Sequence, residues 1–338
     1  MKSRTTIRRM KGTELSPAAL VRFRRALLAW YEANRRDLPW RRTRDPYAIW
    51  LSEIMLQQTR VAAVLDHYRV FLERFPDIAK LAAAQEEAVL AAWSGLGYYR
   101  RARMLHQCAR EIVTQHNHCF PRTSESLRGL PGIGRYTAAA IASIAFQEPV
   151  AVVDGNVERV LSRLAGRALS AQQTWLRAQE NLATSRPGDF NQSMMELGAT
   201  VCLPREPRCS ICPISKWCAA QGPLPQTRTK TRQRRQHIWC SLDRRNGHVR
   251  LVQRSQRAPL MAGMWELPQS TDLPPTSARD AHWRTFRHSI TVTDYTVHVV
   301  RDNSTNGKGR VKWVPVSDLP TLPLTGLTRK ILRADGII

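Results

Sequence analysis

The chain has 338 residues, 43% of them hydrophobic, which is enough for two globular cores rather than one. Lys and Arg total 52 against 27 Asp and Glu, giving a formal net charge of +25. This surplus favours a polyanionic partner, because Lys and Arg displace the counterions condensed on phosphate. No apolar run approaches the roughly 18 residues of a transmembrane helix, and no apolar stretch follows the basic start. We therefore expect neither a membrane span nor a signal peptide.

Helical signals dominate the first two thirds of the chain. Ser16-Pro17 is typical of an N-cap followed by proline at the first helical position, and Asp45-Pro46 precedes a second helix. That second helix has as core candidates Trp50, Leu51, Ile54 and Met55. Further helices are predicted at about 61–74, 84–93, 100–115, 124–130, 135–146 and from Asp154 to Gly166. No strand is evident before residue 220, so this region is predicted to be all-α.

The composition changes at residues 219–236, which are polar and basic and indicate a linker. Short alternating stretches separated by Asn-Gly turns follow, at His248–Gln253, Thr291–Val300 and Val311–Val316, and a closing helix is predicted near Leu324. The fold class is therefore multi-domain, with an all-α domain followed by a small α+β domain. We expect a basic tail at 1–15, the helical domain at 16–221, a linker at 222–236 and the α+β domain at 237–338.

Four of the seven cysteines form one cluster with the spacing C-x6-C-x2-C-x5-C, made of Cys202, Cys209, Cys212 and Cys218. An odd cysteine count with such clustering argues against a disulfide framework and for metal binding in a reducing compartment. Four thiolates serve either a structural zinc ion or an iron–sulfur cluster. Zinc usually prefers two C-x2-C pairs and only one occurs here, so the spacing favours the cluster over zinc.

A second motif, Leu-Pro-Gly-Ile-Gly at 130–134, lies between two helix-forming stretches. Two glycines around one apolar residue allow a tight turn that brings backbone N–H groups to the surface at the start of the next helix. Those N–H groups and the helix dipole suit a phosphate. With RYTA after it at 135–138, the run resembles the helix-hairpin-helix of base-excision glycosylases. The resemblance implies that Pro131, Gly132, Gly134 and Arg135 bind the DNA backbone, a contact that reads no base sequence. An ordinary turn between helices is the alternative.

Five segments in the same order carry a resemblance to a known family: WLSEIMLQQT at 50–59, GLGYYRRAR at 95–103, LPGIGRYTA at 130–138, VVDGNVERVL at 152–161 and the cysteine loop at 202–218. Over about residues 17–220 the chain resembles the MutY-type adenine DNA glycosylases of the endonuclease III superfamily. The resemblance implies a helix-hairpin-helix glycosylase domain with a [4Fe–4S] cluster on the four cysteines.

The resemblance also implies the catalytic residues. Glu53 would protonate N7 of adenine, Asp154 would stabilise the sugar cation, and Asn156 would hold the carboxylates by hydrogen bonding. Apolar neighbours on its helix are expected to raise the pKa of Glu53 and keep a proton available near neutral pH. Bifunctional relatives carry a Schiff-base lysine where this chain has Tyr136, so base removal without efficient strand cleavage follows. Tyr136 is expected to form a hydrogen bond near Asp154.

Extruding a base from the duplex leaves a gap that a side chain must fill. The family pattern assigns this wedge role to Gln58 and Tyr98, while Tyr99 is expected in the core. Trp40 and Arg41 match a family segment near the adenine pocket, and Arg41 is predicted to bind DNA.

Residues 237–338 resemble, more loosely, the NUDIX-like C-terminal domain by which this family recognises 8-oxoguanine. The segment GMWELP at 263–268 and Phe286-Arg287-His288 carry that resemblance. The NUDIX hydrolase motif is absent, so no pyrophosphatase activity is expected. Many relatives have Phe-Ser-His where this chain has Ile290-Thr291-Val292, which predicts weaker selectivity for 8-oxoguanine.

Together these features predict a monofunctional glycosylase that removes adenine opposite 8-oxoguanine or guanine from double-stranded DNA. It is expected to act as a monomer, away from membranes, in a bacterial cytoplasm and at the nucleoid. The alternatives are a mismatch thymine or uracil glycosylase of the same superfamily, and a non-catalytic DNA-damage binder or redox sensor. The presence of both Glu53 and Asp154 argues against an inert binder.

Overall fold

Helices come first and strands last in the computed structural model, which describes residues 15–224, 234–271, 282–290, 292–301 and 309–338. These residues separate into two compact units, and the first draws on residues 1–57 and 116–227. Its α-helices are α1 (Pro17–Asn34), α2 (Pro46–Leu56), α7 (Ser124–Leu127), α8 (Arg135–Ala145), α9 (Gly155–Ala165), α10 (Ala171–Asn181) and α11 (Pro187–Thr200). Its apolar core includes Phe23, Leu27, Val160, Phe190 and Leu197.

Side-chain caps fix where these helices begin. Ser16 accepts a hydrogen bond from the backbone N–H of Ala19, and Asp45 accepts from the N–H groups of Tyr47 and Ala48. Asp154 caps α9 in the same way, and Gly166 ends it in the left-handed conformation with φ of 70°. The predicted positions of these helix ends are therefore confirmed.

The second unit draws on residues 58–115 and 228–338. Four helices come from the first of these segments and one closes the chain: α3 (Val61–Arg74), α4 (Ile78–Ala83), α5 (Glu86–Ala92), α6 (Arg100–Gln115) and α12 (Gly326–Ala334). The strands are β1 (Arg234–Ser241), β2 (Arg244–Arg245), β3 (His248–Gln253), β4 (Trp265–Glu266), β5 (Gln269–Ser270), β6 (His282–Ile290), β7 (Thr293–Val300) and β8 (Arg310–Pro315).

The strands form two sheets. One has the order β5-β1-β7-β6, in which β1 and β7 are parallel and the other neighbours are antiparallel. In the other sheet β8 pairs with β3 along its length, while β2 and β4 pair with the two ends of β3. The core between them includes Val249, Leu251, Val297, Val299 and Ile331. The predicted α+β character of the region after the linker is thus confirmed.

Two features of this region differ from the sequence-based expectation. Strand β1 begins at Arg234, inside the predicted linker, and residues 58–115 group with the sheets rather than with the other helices. The domain boundaries themselves stay a prediction. Thr291 and the Asn306-Gly307 turn lie outside the described residues. Within the described ranges, no helix has the length and apolar character needed to cross a membrane.

Candidate active site

Helix α2 is buried along almost its whole length and carries Glu53. Every residue from Tyr47 to Met55 is buried, so the helix has no solvent face over this stretch. The predicted core residues Trp50, Leu51, Ile54 and Met55 are all confirmed as buried. Glu53 is only 6% exposed, which makes it a carboxyl group inside an apolar helix rather than a surface charge.

The hydroxyl of Tyr136, in the first turn of α8, donates a hydrogen bond of 2.6 Å to Oε2 of Glu53. The pKa of Glu53 is raised from 4.5 to about 7, mainly by burial and also by the nearby charge of Asp154. The Tyr136 hydrogen bond and the positive charge of Arg41 oppose that rise. Glu53 can therefore hold and release a proton near neutral pH.

Tyr136 thus donates to Glu53, and both side chains lie within the electrostatic reach of Asp154. Burial and the neighbouring carboxylates raise the pKa of Tyr136 well above its ordinary value, so it stays a neutral donor. Through its hydrogen bond, Tyr136 also lowers the pKa of Glu53 and so affects how much of Glu53 is protonated.

Asp154 is oriented by its own helix. Its Oδ1 accepts from the backbone N–H of Val157 at 2.7 Å, and its Oδ2 accepts from Nδ2 of Asn156 at 2.8 Å. Arg159 fixes Asn156 in turn, since its Nη2 donates to Oδ1 of Asn156 at 2.8 Å. Asn156 therefore holds Asp154 as predicted, while Glu53 is held by Tyr136.

A buried ion cluster links α11 to the segment before α2. The Glu196 side chain is 0% exposed, and its oxygens accept from the guanidinium groups of Arg36 and Arg41 at 2.7 to 2.8 Å. Burial alone would raise the pKa of Glu196, but the two arginines outweigh it and lower the pKa to about 2. The charge of Arg41 is therefore engaged by Glu196, and it also acts on Glu53. The predicted contact of Arg41 with DNA stays a prediction.

The predicted hairpin joins α7 to α8. Gly132 has φ of 74°, a conformation that favours glycine, and Gly134 is the N-cap of α8 with no side chain bonded to the helix start. A Cβ atom at Gly134 would meet nothing within 4 Å, so the approach to this helix end is open. The guanidinium of Arg135 lies 3.8 Å from the centre of the Trp175 ring, which holds it beside the turn. This geometry suits backbone N–H contacts to phosphate.

The predicted wedge residues, Gln58 and Tyr98, belong to the second unit and share one unusual property. Both adopt positive φ, 56° and 51°, and both are exposed, Tyr98 to 49%. An exposed residue other than glycine in the left-handed region is uncommon and indicates a constrained turn. The prediction that Tyr99 lies in the core is confirmed.

The four clustered cysteines are half-buried in the first unit. Cys202 follows α11, Cys209 begins and Cys212 follows one short 3-10 turn, and Cys218 follows a second. The pKa of Cys212 is raised to about 11, mainly by burial and to a smaller extent by Cys202, Cys218 and Cys209. Among the described residues, no three His, Cys, Asp or Glu side chains are arranged to hold a metal ion.

The buried Arg163 shows whether the cysteine loop suits negatively charged, metal-bound thiolates. Its guanidinium donates to Sγ of Cys202 at 3.2 Å and to the carbonyls of Leu203 and Pro204. In the part of the chain that the structure describes, Arg163 has no carboxylate ion pair within 4.0 Å. A buried cation needs a compensating charge. Thiolates that ligate iron supply it, so the residues present fit such a group.

Sequence reasoning missed Glu196, Arg36 and Gly198. A Cβ atom at Gly198 would lie 2.6 Å from Cβ of Asn156, so only glycine permits α11 to approach α9 beside Asp154. The sequence does carry a signal for two of these residues. Glu196 is the lone acid, and Gly198 the lone glycine, of the otherwise apolar run Met-Met-Glu-Leu-Gly at 194–198.

Comparison with known proteins identifies the class of protein to which this chain is similar. Residues 51–182 match the profile of HhH-GPD superfamily base excision DNA repair proteins. A solved thymine-DNA glycosylase described as thermostable is 31% identical with a TM-score of 0.57, over 60% of this chain and 96% of its own. A non-covalent endonuclease III–DNA complex, 22% identical with a TM-score of 0.54 over 62% of this chain and 97% of its own, shares the fold.

Curated adenine DNA glycosylases narrow the class. The human protein is 48% identical over 224 residues, which cover 62% of this chain and 41% of that protein. The Mycolicibacterium smegmatis protein is 45% identical over 205 residues, which cover 58% of this chain and 70% of that protein. The chain belongs to the adenine DNA glycosylase family. It spans about half the length of the mammalian relatives that it matches.

Proposed function

We propose that the chain is a monofunctional DNA glycosylase that removes adenine opposite 8-oxoguanine or guanine by hydrolysing the N-glycosidic bond. The observation that carries this proposal is Glu53, a buried carboxyl group with a pKa of about 7 that lies within the electrostatic reach of Asp154. Hydrolysis of a glycosidic bond commonly uses two carboxyl groups in different environments: one stays protonated to donate a proton, and the other stays charged to stabilise the sugar cation. The protein would act as a monomer on double-stranded DNA, in the cytoplasm of a bacterial cell.

The roles of the two carboxyl groups follow from their surroundings. Glu53, protonated near neutral pH, donates a proton to N7 of adenine so that the base leaves as a neutral molecule. Asp154, held by Asn156 and the start of α9, presents a negative charge to the cationic sugar. Position 136 carries a phenol rather than an amine, so no Schiff base forms there and the DNA strand stays intact.

The remaining predicted residues would bind DNA or stabilise the cysteine loop. The 131–135 turn would bind the phosphate backbone, and Gln58 and Tyr98 would fill the gap left by the extruded adenine. Cys202, Cys209, Cys212 and Cys218 would hold a [4Fe–4S] cluster. Such a cluster ties the loop together, and Arg163 balances the charge of its thiolates.

The hydrogen bond from Tyr136 leads to a prediction about pH. Removing the hydroxyl in Tyr136→Phe takes away a contact that stabilises charged Glu53, so the pKa of Glu53 should rise above about 7. Because the protonated acid is the active form, the alkaline limb of the excision rate should move to higher pH. Single-turnover rates from about one pH unit below to about two units above the Glu53 pKa of about 7 measure this, with Tyr295→Phe as the control. A limb that stays in place or moves to lower pH would contradict the assignment.

We propose that residues 237–338 form a NUDIX-like region that reads the base opposite adenine, with Ile290-Thr291-Val292 at the reader position. Val292 is exposed, Ile290 is half-buried, and Thr291 lies outside the described residues. No histidine stands at these three positions to donate a hydrogen bond to a damaged base. Selectivity for A:8-oxoG over A:G should therefore be modest.

Installing Phe-Ser-His at positions 290–292 is expected to widen that selectivity by about ten- to a hundredfold, the worth of one polar contact in a discriminating site. Dissociation constants for both duplexes at one salt concentration measure it, because so basic a protein binds any DNA at low salt. A wild type that already prefers the lesion strongly, together with an unchanged preference in Thr291→Val, would show that the reader lies elsewhere.

A second candidate activity is excision of mismatched thymine or uracil, which the likeness to the solved thymine-DNA glycosylase favours. A single experiment separates the two: base release from duplexes that contain A:8-oxoG, A:G, T:G or U:G. Adenine release from the first two and none from the others is the expected result. Release of thymine or uracil alone would replace the proposal with the second candidate.

A further inference from the structure

The turn that presents Tyr98 is held in an unusual backbone conformation. Gly95 and Gly97 have φ of 111° and 71°, and Tyr98 between them and α6 has φ of 51°. Two side chains bond the carbonyl of Gly97: the indole Nε1 of Trp93 at 3.1 Å and the guanidinium of Arg101 at 3.3 Å. Glycine adopts positive φ without strain, but Tyr98 does not, so contacts from the surrounding structure are needed to keep Tyr98 in this conformation.

Those outside contacts come from the segment that opens α12. The backbone carbonyl of Leu324, which is fully buried, accepts hydrogen bonds from Oγ of Ser94 at 2.8 Å and from the hydroxyl of Tyr99 at 3.2 Å. From α12 itself, Nε of Arg329 donates to Oγ of Ser94 at 3.0 Å. One buried carbonyl and one guanidinium of the sheet region therefore hold both ends of the turn.

Tyr99 also reaches the inside of the turn. Its hydroxyl oxygen accepts from the backbone N–H of Gly95 at 3.4 Å while it donates to the carbonyl of Leu324. Tyr99 is buried, whereas the adjacent Tyr98 is exposed, so the backbone between them turns one aromatic ring inward and the next outward. On α6, Nη2 of Arg103 also donates to the carbonyl of Ala262, in the loop between β3 and β4, at 2.5 Å.

We propose that Ser94, Tyr99 and Arg329 are positioning residues that fix the 95–98 turn and thereby the direction of the Tyr98 side chain. The region 237–338 would then have a second role besides reading the base opposite adenine. Through Leu324 and Arg329 it would fix the orientation of Tyr98, the residue that fills the gap left by the extruded base. This inference rests on the proposed function, in which Tyr98 is the wedge. The three side chains touch no substrate and act through Tyr98.

The test uses the full-length chain and three variants: Tyr99→Phe, Arg329→Met and the control Arg333→Met. Arg333 lies on the same helix but is exposed, so its replacement changes charge alone. Amide hydrogen exchange of peptides covering 94–98 should become faster in the first two variants and stay unchanged in the control. Fluorescence of 2-aminopurine in place of the target adenine should show less extrusion, and single-turnover excision should slow by about ten- to a hundredfold.

A double-mutant cycle distinguishes positioning from general destabilisation. If Arg329 acts through Tyr98, then Arg329→Met should slow excision in the wild-type background and have no further effect in Tyr98→Ala. Equal losses in both backgrounds, or unchanged exchange at 94–98 in Tyr99→Phe and Arg329→Met, would overturn the inference. A wild type that releases no adenine would defeat the proposed function instead, while hydrogen exchange and 2-aminopurine fluorescence would still decide the positioning.

Discussion

Replacing Glu53 by glutamine is expected to abolish adenine release and to leave duplex binding nearly intact. Glutamine keeps the size and packing of the side chain inside α2 but has no proton to donate to the departing base. General acid catalysis is typically worth about 10²- to 10⁴-fold, so single-turnover excision should fall by at least that range. Glu73→Gln, a change at an exposed carboxylate of α3, is the matched control. Excision by Glu53→Gln within about threefold of wild type, far less than any acid–base effect, would remove Glu53 from the mechanism.

The same variant has a stability signature that excludes simple unfolding. Because burial raises the pKa of Glu53 to about 7, the folded chain binds more protons than the unfolded chain between pH 4.5 and 7. The free energy of unfolding therefore falls as pH rises through this window. Glutamine does not titrate, so Glu53→Gln should not show this pH-dependent decrease in stability. At pH 8 Glu53→Gln should be at least as stable as wild type, so an inactive variant that melts earlier would point to misfolding.

The second large effect is expected in the cysteine loop. Cys209→Ser should lose iron and solubility together, because a loop whose regular structure is two short 3-10 turns would depend on the proposed cluster to fold. The wild-type protein should contain about four irons per chain and absorb broadly at about 400 nm. Cys119→Ser, at an exposed cysteine outside the loop, should retain both properties. Stoichiometric zinc without iron after anaerobic purification would contradict the cluster.

Local signals predicted the helices that carry the proposed carboxyl groups. Asp45-Pro46 and the apolar run after it define α2, and Asp154 with Gly166 defines both ends of α9. Caps and helical periodicity act within a few residues, so a sequence displays them directly. Helix α10 was missed although Ser170 and Gln173 form a capping box, a signal that was present.

Contacts between distant segments could not be predicted in this way. Glu196 lies about 160 residues from Arg36, so the sequence around it shows only an acid in an apolar helix. The hydrogen bond between Tyr136 and Glu53 spans 83 positions, and the parallel pairing of β1 with β7 depends on a similar long-range match. Only the first three residues of β1, at 234–236, fall in the predicted linker, because they are exposed and polar and so hide the strand pattern.

The most direct test of the central claim combines the identity of the released base with the state of the strand. A labelled duplex with one A:G pair is incubated with the full-length chain under single-turnover conditions, the free base is identified by chromatography, and the strand is sized before and after hot alkali. We predict free adenine and a strand that breaks only after alkali, because Tyr136 supplies no amine for Schiff-base chemistry. Efficient strand cleavage without alkali, or no adenine release from this duplex and from its A:8-oxoG counterpart, would contradict the account.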